Sequence, residues 1–161
     1  MRRQNNITPV SELALKSDYN LFKKGVRPEW EDPQNKHGGR WSYQVKAKER
    51  IDEMWLHVML AAIGETLEDD GDNEVMGVVV NVRKAFYRIG VWTRTIGKPL
   101  PGSKDAAEKS RTFEQGKAVL EKIGKRFKET LAIREDESVE FLGHTDSARA
   151  GSTRASAKFA V

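Results

Sequence analysis

Residues Pro28 to Lys46 read PEWEDPQNKHGGRWSYQVK, and the two halves of that stretch follow different rules. From Pro28 to Gly39 there is neither helical nor strand periodicity; Trp30, Glu31 and Asp32 are fixed by Pro33, and Gly38-Gly39 is expected to act as a hinge. From Arg40 to Lys46 the pattern alternates strictly, with Trp41, Tyr43 and Val45 on one face and Arg40, Ser42 and Gln44 on the other, as in a half-buried strand. A loop with a flat aromatic surface beside a carboxylate therefore feeds a strand whose first cation points away from the core. Such a loop suits a purine-like ligand, whose ring lies on the indole while its N–H edge meets both oxygens of Glu31. A cationic ring gains roughly 0.5 to 2 kcal/mol more from the indole quadrupole. Spacing alone equally allows Trp30 to anchor the loop into the core with solvated acids around it.

Further along, Val75 to Arg83 and Phe86 to Thr93 are β-rich runs that read as a hairpin. A four-residue loop at Lys84 to Tyr87 sets Arg83 opposite Arg88, Asn81 opposite Gly90 and Val79 opposite Trp92. Opposed like charges destabilise a ladder, and they make sense if both guanidiniums face a polyanion. Arg88, Gly90 and Trp92 share a parity, so a cation, a bare backbone and an indole line one face. Taken alone, Trp92 also suits an ordinary core position.

Lys48 to Ile63 is the clearest helix, stopped by Gly64 in the place of a left-handed C-terminal residue. It carries two apolar stripes. Ile51, Met54, Trp55, Val58 and Ala62 form one; Leu56, Met59, Leu60 and Ile63 form a second, turned roughly a third of the way round. The second stripe is either covered by the rest of the domain or docks a partner's amphipathic helix. Residues 7 to 22 read as loop and short extended pieces, and the acidic run Glu68 to Glu74 as a solvated loop whose spacing does not match a calcium site. A second helix is expected from about Ser103 or Thr112 to Leu131, buried through Leu120, Ile123, Phe127 and Leu131. A short strand follows at Val139 to Leu142. Gly143 to Ser156 is a polar loop from which Arg149 and Arg154 reach a bound phosphate or simply lie in solvent.

With 161 residues, 38% hydrophobic and 32% charged, the chain has the bounds of one soluble domain. The absence of cysteine excludes disulfides and thiolate metal sites, and nothing resembles a signal peptide or a membrane span, which points to the cytoplasm or nucleus. A net charge of +4, with a basic strip at Arg83 to Arg94, suits a few phosphates rather than a long nucleic-acid track. No catalytic set emerges. His144 and Asp146 lack a nucleophile, and His37 and His57 have neither metal spacing nor an acid-base mate, so binding is favoured over catalysis, with no metal and no cofactor.

Taken in order, PEWED at 28 to 32, NKHGGRW at 35 to 41, MWLHVMLAAIGE at 54 to 65, VVNVR at 79 to 83, VWT at 91 to 93 and GST at 151 to 153 make the chain resemble the eukaryotic translation initiation factor 4E family, the messenger-RNA cap-binding proteins. The resemblance implies an α+β fold, a strongly curved antiparallel β-sheet with helices on its convex face, in one cap-binding domain over residues 1–161. It implies 7-methylguanosine held on the concave side. Trp30 corresponds to a stacking partner, Glu31 to the acceptor for the guanine N–H edge, and Trp92 to the indole near the N7-methyl group. Arg83 and Arg88 correspond to phosphate ligands, with Arg40 and Arg149 on the phosphate side. Leu56, Met59, Leu60, Ile63 and Gly64 correspond to the surface that takes a scaffold or regulatory protein presenting an amphipathic helix. Arg88 stands where the family has Lys, His57 where it often has Glu, and the tip Lys84 to Tyr87 lacks the usual glycine and second lysine. The family's first strands, first helix, other sandwich tryptophan and one tryptophan of the partner surface find no counterpart in residues 1–161. The alternative is therefore a chain with impaired cap binding that acts only as a protein-interaction fragment or is inactive.

Overall fold

The computed structural model describes residues 7–104, 106–145 and 158–161. Six strands form one curved antiparallel sheet: β1 (Asp18–Phe22), β2 (Gly39–Val45), β3 (Val75–Val82), β4 (Tyr87–Thr93), β5 (Glu140–Gly143) and β6 (Phe159–Ala160), in the spatial order β1-β3-β4-β2-β5-β6. The helices are α1 (Lys48–Ile63), the short α2 (Ala106–Ser110) and α3 (Phe113–Leu131).

Period-2 alternation decides which face is covered. Trp41 is fully buried, donates from its indole Nε1 to the carbonyl of Leu120 in α3 at 2.9 Å, and meets the rings of Phe141 and Phe159 edge-on. Gly124 makes that approach feasible, since a Cβ there would lie 2.6 Å from the indole. Leu120, Ile123, Phe127 and Leu131 are buried on α3 as their spacing predicts, and Thr112 with Gln115 closes a capping box at its start. On α1, Ile51, Met54, Trp55 and Val58 are buried, each contributing roughly 1.5 to 3 kcal/mol through apolar surface removed from water. The opposite face is the more open one: Arg40, Ser42, Gln44, Arg88 and Trp92 on it are half-buried or exposed.

Four expectations are corrected. Gly64 is right-handed; the left-handed residue is Glu65, with φ 54°, because the amides of Glu65 and Thr66 fold back onto the carbonyls of Ala62 and Ala61. Residues 18–22 form a true edge strand, paired with β3 from Asp18↔Asn81 to Phe22↔Gly77. The run Glu68 to Glu74 is not a solvated loop. Glu74 is fully buried and takes the Thr95 hydroxyl at 2.9 Å with Arg111 at 3.7 Å, Glu68 caps the amides of Glu74 and Val75, and Asp69 pairs with Lys122 and Arg126. Finally, the hairpin loop is Arg83 to Phe86, closed by Arg83 N–H to the Phe86 carbonyl at 3.0 Å. Asn81 therefore faces Arg88, Val79 faces Gly90 and Gly77 faces Trp92. An amide replaces a guanidinium opposite Arg88, which removes the like-charge clash. Because the pairing slips by two residues rather than one, every side chain keeps its face.

Candidate functional site

The open face is built on a transverse row in register across five strands: Phe22, Gly77, Trp92, Arg40 and Leu142. Two residues along, Val79, Gly90 and Ser42 form the next row, and beyond it Asn81, Arg88 and Gln44. The sequence parity of Arg88, Gly90 and Trp92 thus becomes a shared surface, which the β2–β4 register extends to Arg40.

Its electrostatics are unusual. The Arg40 side chain makes no hydrogen bond or ion pair with any described residue and its Nε is buried; burial, and then the charge of Arg88, draw its pKa down to about 10. Arg88 is half-buried, also without an acid among the described residues, and burial followed by the charge of Arg83 lowers its pKa. Its guanidinium sits 5.3 Å from the centre of the Phe86 ring. Arg83, in the hairpin loop, is paired with Asp18 at 3.0 Å. Two desolvated guanidiniums that repel each other are costly unless an anion completes them, and phosphate oxygens suit their planar forks.

Trp92 is half-exposed and held from both sides. Phe22 meets it edge-on at 5.3 Å and 84°, and His144 packs against it at 4.2 Å and 49°. His144 is buried with its Nε2 unpartnered, and burial, then the charge of Arg40, pull its pKa down to about 3. Its backbone N–H holds the carbonyl of Gly38 at 3.0 Å.

The Trp30 loop leaves β1 beside Gly77 and rejoins the sheet at Gly39, which pairs with Thr93 and Gly143, so both of its ends meet the sheet at the end that carries Trp92. Asp32 and Asn35 shape it. The Asp32 carboxylate accepts from the amides of Arg27 at 3.0 Å and Gln34 at 2.9 Å, which hold its pKa below the usual carboxylate value. Buried Asn35 donates to the carbonyls of Arg27 and Glu29, both at 2.8 Å. With those two side chains turned inward, Trp30 is left 39% exposed, and Glu31 is exposed with no partner among the described residues. Trp30 is thus no core anchor. Gly38 and Gly39 have no positive φ and are not a hinge; a Cβ on Gly38 would lie 1.8 Å from the Thr93 carbonyl and one on Gly39 2.5 Å from that of Leu142. Their small size lets the loop seat between β4 and β5.

On the other side of the molecule the second stripe of α1 lies open: Leu56 is 48%, Leu60 55% and Ile63 68% exposed, with Gly64 exposed after them. Met59 is half-buried and lines, with Ile7, Pro9, Tyr19, Leu21 and Trp55, a groove of about 470 Å³ between α1 and β1. Arg149 lies outside the described residues. Among the described residues no group of three His, Cys, Asp or Glu side chains is arranged to hold a metal ion, and no helix is long and apolar enough to cross a membrane. Sequence reading missed Phe22, His144, Asp32 and Asn35. The alternation of Asp18 to Phe22 is the signal from which Phe22's face follows; for His144, a place two residues beyond Leu142 is the only one.

Comparison with known proteins shows the family. The family model described as Eukaryotic initiation factor 4E matches residues 1–159. Eukaryotic translation initiation factor 4E-1 of Schizosaccharomyces pombe is 47% identical over 159 residues, covering 98% of this chain and 64% of the relative. Its 4E-2 counterpart is 50% identical over 156 residues, covering 96% and 56%. This chain therefore spans about three fifths of the length of these relatives. A solved complex of C. elegans eIF4E-3 with the 4E-binding protein Mextli and cap analog matches at TM-score 0.75 and 30% identity, over 98% of this chain and 76% of that one. Ascaris suum eIF4E-3 with m7G cap matches at TM-score 0.74 and 33% identity, over 98% and 75%.

Proposed function

We propose, from the premise that this chain belongs to the eukaryotic initiation factor 4E family, that it binds the 7-methylguanosine cap of messenger RNA on the open face of its sheet and recruits a scaffold or regulatory protein through α1. The observation that carries the reading is Arg40 and Arg88, two desolvated guanidiniums without acids among the described residues, beside an indole flanked by two rings, at the end of the sheet joined by the loop that carries exposed Trp30 and Glu31. The structures of C. elegans and A. suum eIF4E-3, solved with cap analog and m7G cap, support it. On this reading Trp30 stacks on the cationic base, Glu31 accepts from its N–H edge, Trp92 meets the N7-methyl group, and Arg88, Arg83 and Arg40 hold the phosphates. No bond is made or broken. The exposed leucines of α1 suit the apolar face of a partner helix, and the Mextli-bound C. elegans structure is in keeping with that.

Retention of the 161-residue chain on immobilised 7-methylguanosine triphosphate, with readier elution by free methylated than by unmethylated guanosine nucleotide, is the test. Equal elution by both nucleotides overturns the cap reading. If the chain then still captures an amphipathic helical peptide through Leu56 and Leu60, the second reading, a protein-interaction fragment, takes its place.

A further inference from the structure

The row that holds Trp92 begins at a residue to which no role has been given. Phe22 stands on the edge strand and is separated from Trp92 by β3, yet their rings touch. Gly77 explains how. It lies between them in register, and a Cβ there would come within 2.4 to 2.6 Å of the Phe22 ring. The ring thus occupies the volume that a side chain at 77 would fill and reaches over the bare backbone to the indole. His144 closes the other flank, so the indole is gripped between an edge-on phenyl and a tilted imidazole. An indole on an otherwise open face has rotamer freedom; this one is fixed from a strand that carries no ligand-binding residue of its own.

Resting on the cap-binding reading, we propose that Phe22, lying across Gly77, is a positioning residue that sets the orientation of the Trp92 indole and thereby the discrimination between methylated and unmethylated guanosine. Contact with the methyl group is confined to methylated nucleotide, so misorienting Trp92 weakens that ligand selectively. Phosphate contacts, made by Arg88 two rows along the face and by Arg40 beside Trp92 in its own row, are common to both ligands. A residue that merely stabilised the fold would lower both affinities together.

The experiment measures dissociation constants of 7-methylguanosine triphosphate and guanosine triphosphate for wild type, Phe22→Leu, Phe22→Tyr, Gly77→Ala and the Phe22→Leu/Gly77→Ala double variant. Phe22→Leu is expected to lower the preference for the methylated nucleotide roughly two- to tenfold, the range expected for loss of an aromatic pair, while the salt dependence of binding stays unchanged. Phe22→Tyr keeps the ring and restores the preference. Gly77→Ala displaces the ring and reproduces the Phe22→Leu change, and the double variant shows no further loss, because both act on one contact. If wild type discriminates but Phe22→Leu does so equally well, or loses affinity for both nucleotides in proportion, the positioning role is overturned while the cap reading stands. A wild type that does not discriminate overturns both. Should Gly77→Ala fail to fold, the Leu and Tyr variants at half-buried Phe22 decide the question.

Discussion

Arg83 reaches Asp18 across the edge of the sheet, Nη1 to Oδ1 at 3.0 Å, so of the three guanidiniums on the open face it alone comes already neutralised. A phosphate must displace Asp18 to gain Arg83, whereas Arg88 is free to bind at once. Arg88→Ala is therefore expected to cost roughly 1.5 to 3 kcal/mol of triphosphate affinity, on the order of a ten- to hundredfold loss. Arg83→Ala costs less, because the exposed ion pair it gives up offsets about 0.2 to 1 kcal/mol. Asp18→Asn should raise triphosphate affinity a few-fold (roughly two to five) with no change for the nucleoside. Titrations against nucleoside, mono-, di- and triphosphate at two salt concentrations check the order; equal losses for the nucleoside would remove these arginines from the phosphate site.

Glu31→Gln is expected to reduce discrimination for guanine over adenine more than it reduces phosphate affinity. The free carboxylate offers two charged acceptors where the amide offers one neutral acceptor and a donor. Binding of 7-methylated guanosine nucleotide and unmethylated adenosine nucleotide with unchanged preference would exclude Glu31 from the base edge. Asp32→Asn acts differently: it loosens the amides of Arg27 and Gln34 and lowers affinity for every ligand that uses the loop.

Much of this site was readable from residue order, for a definite reason. Period-2 parity survives a register error of two, so Arg88, Gly90 and Trp92 share one face in sequence and in structure even though the hairpin loop lies a residue earlier than expected, whereas Arg40 joins that face only through the β2–β4 pairing. That tip, Lys84-Ala85, carries no Gly, Asn or Pro to mark the turn. The helices were legible because their apolar stripes repeat over sixteen and nineteen residues. What stayed hidden depends on partners far away in sequence. β1 contains Asp18 and Asn20, poor strand formers, and is a strand because β3 pairs with it. Glu74 is buried because Thr95 and Arg111 surround it, which a dense run of acids conceals. Phe22 and His144 met Trp92 only once the strand order was known.

His144 makes stability fall with acid in a window of its own, while buried Glu74, whose pKa burial raises above the usual carboxylate value, acts in the opposite sense. The His144 pKa is drawn from an ordinary 6.5 to about 3, so the unfolded chain binds a proton there that the folded chain does not. Its contribution to stability is fully present above about pH 6.5 and declines as the pH falls toward 3, by about 1.4 kcal/mol per pH unit for this one proton. The Asp32 contribution, held by amides to its carboxylate, is lost at lower pH still. Denaturant unfolding between pH 7 and 4 measures the slope. His144→Phe keeps a ring against Trp92 and is expected to flatten it; an unchanged slope would assign the proton to another group.

Leu56→Ala with Leu60→Ala should abolish capture of an amphipathic helical peptide while moving the melting temperature little, since about half of each side chain already meets solvent. Val58→Ala, on the buried stripe of the same helix, provides the contrast, with a loss of roughly 2 kcal/mol from transfer and cavity terms. A large drop in melting temperature for the leucine pair would mark them as core and move the partner surface elsewhere.

The final expectation comes from counting indoles. The chain has four tryptophans; Trp41 is fully buried, Trp55 is 5% exposed, and Trp92 is held between Phe22 and His144, which leaves Trp30 as the one free aromatic plate of that size. A base stacked on Trp30 therefore keeps its other face in water. Relative to a two-indole sandwich, such as the family resemblance implies, the missing burial and cation–π attraction amount to roughly 2 to 5 kcal/mol, a thirty- to several-thousand-fold weaker complex. The isolated 161-residue chain is thus expected to bind 7-methylguanosine triphosphate weakly, with phosphates carrying most of the affinity and a correspondingly steep salt dependence. Calorimetry of the monomeric chain at two salt concentrations is the measurement. Tight, methyl-dependent binding would contradict the expectation and turn attention to the hairpin tip, where Phe86 lies beneath the Arg88 guanidinium and Tyr87 follows it. Phe86→Ala and Tyr87→Ala would then show which ring covers the second face.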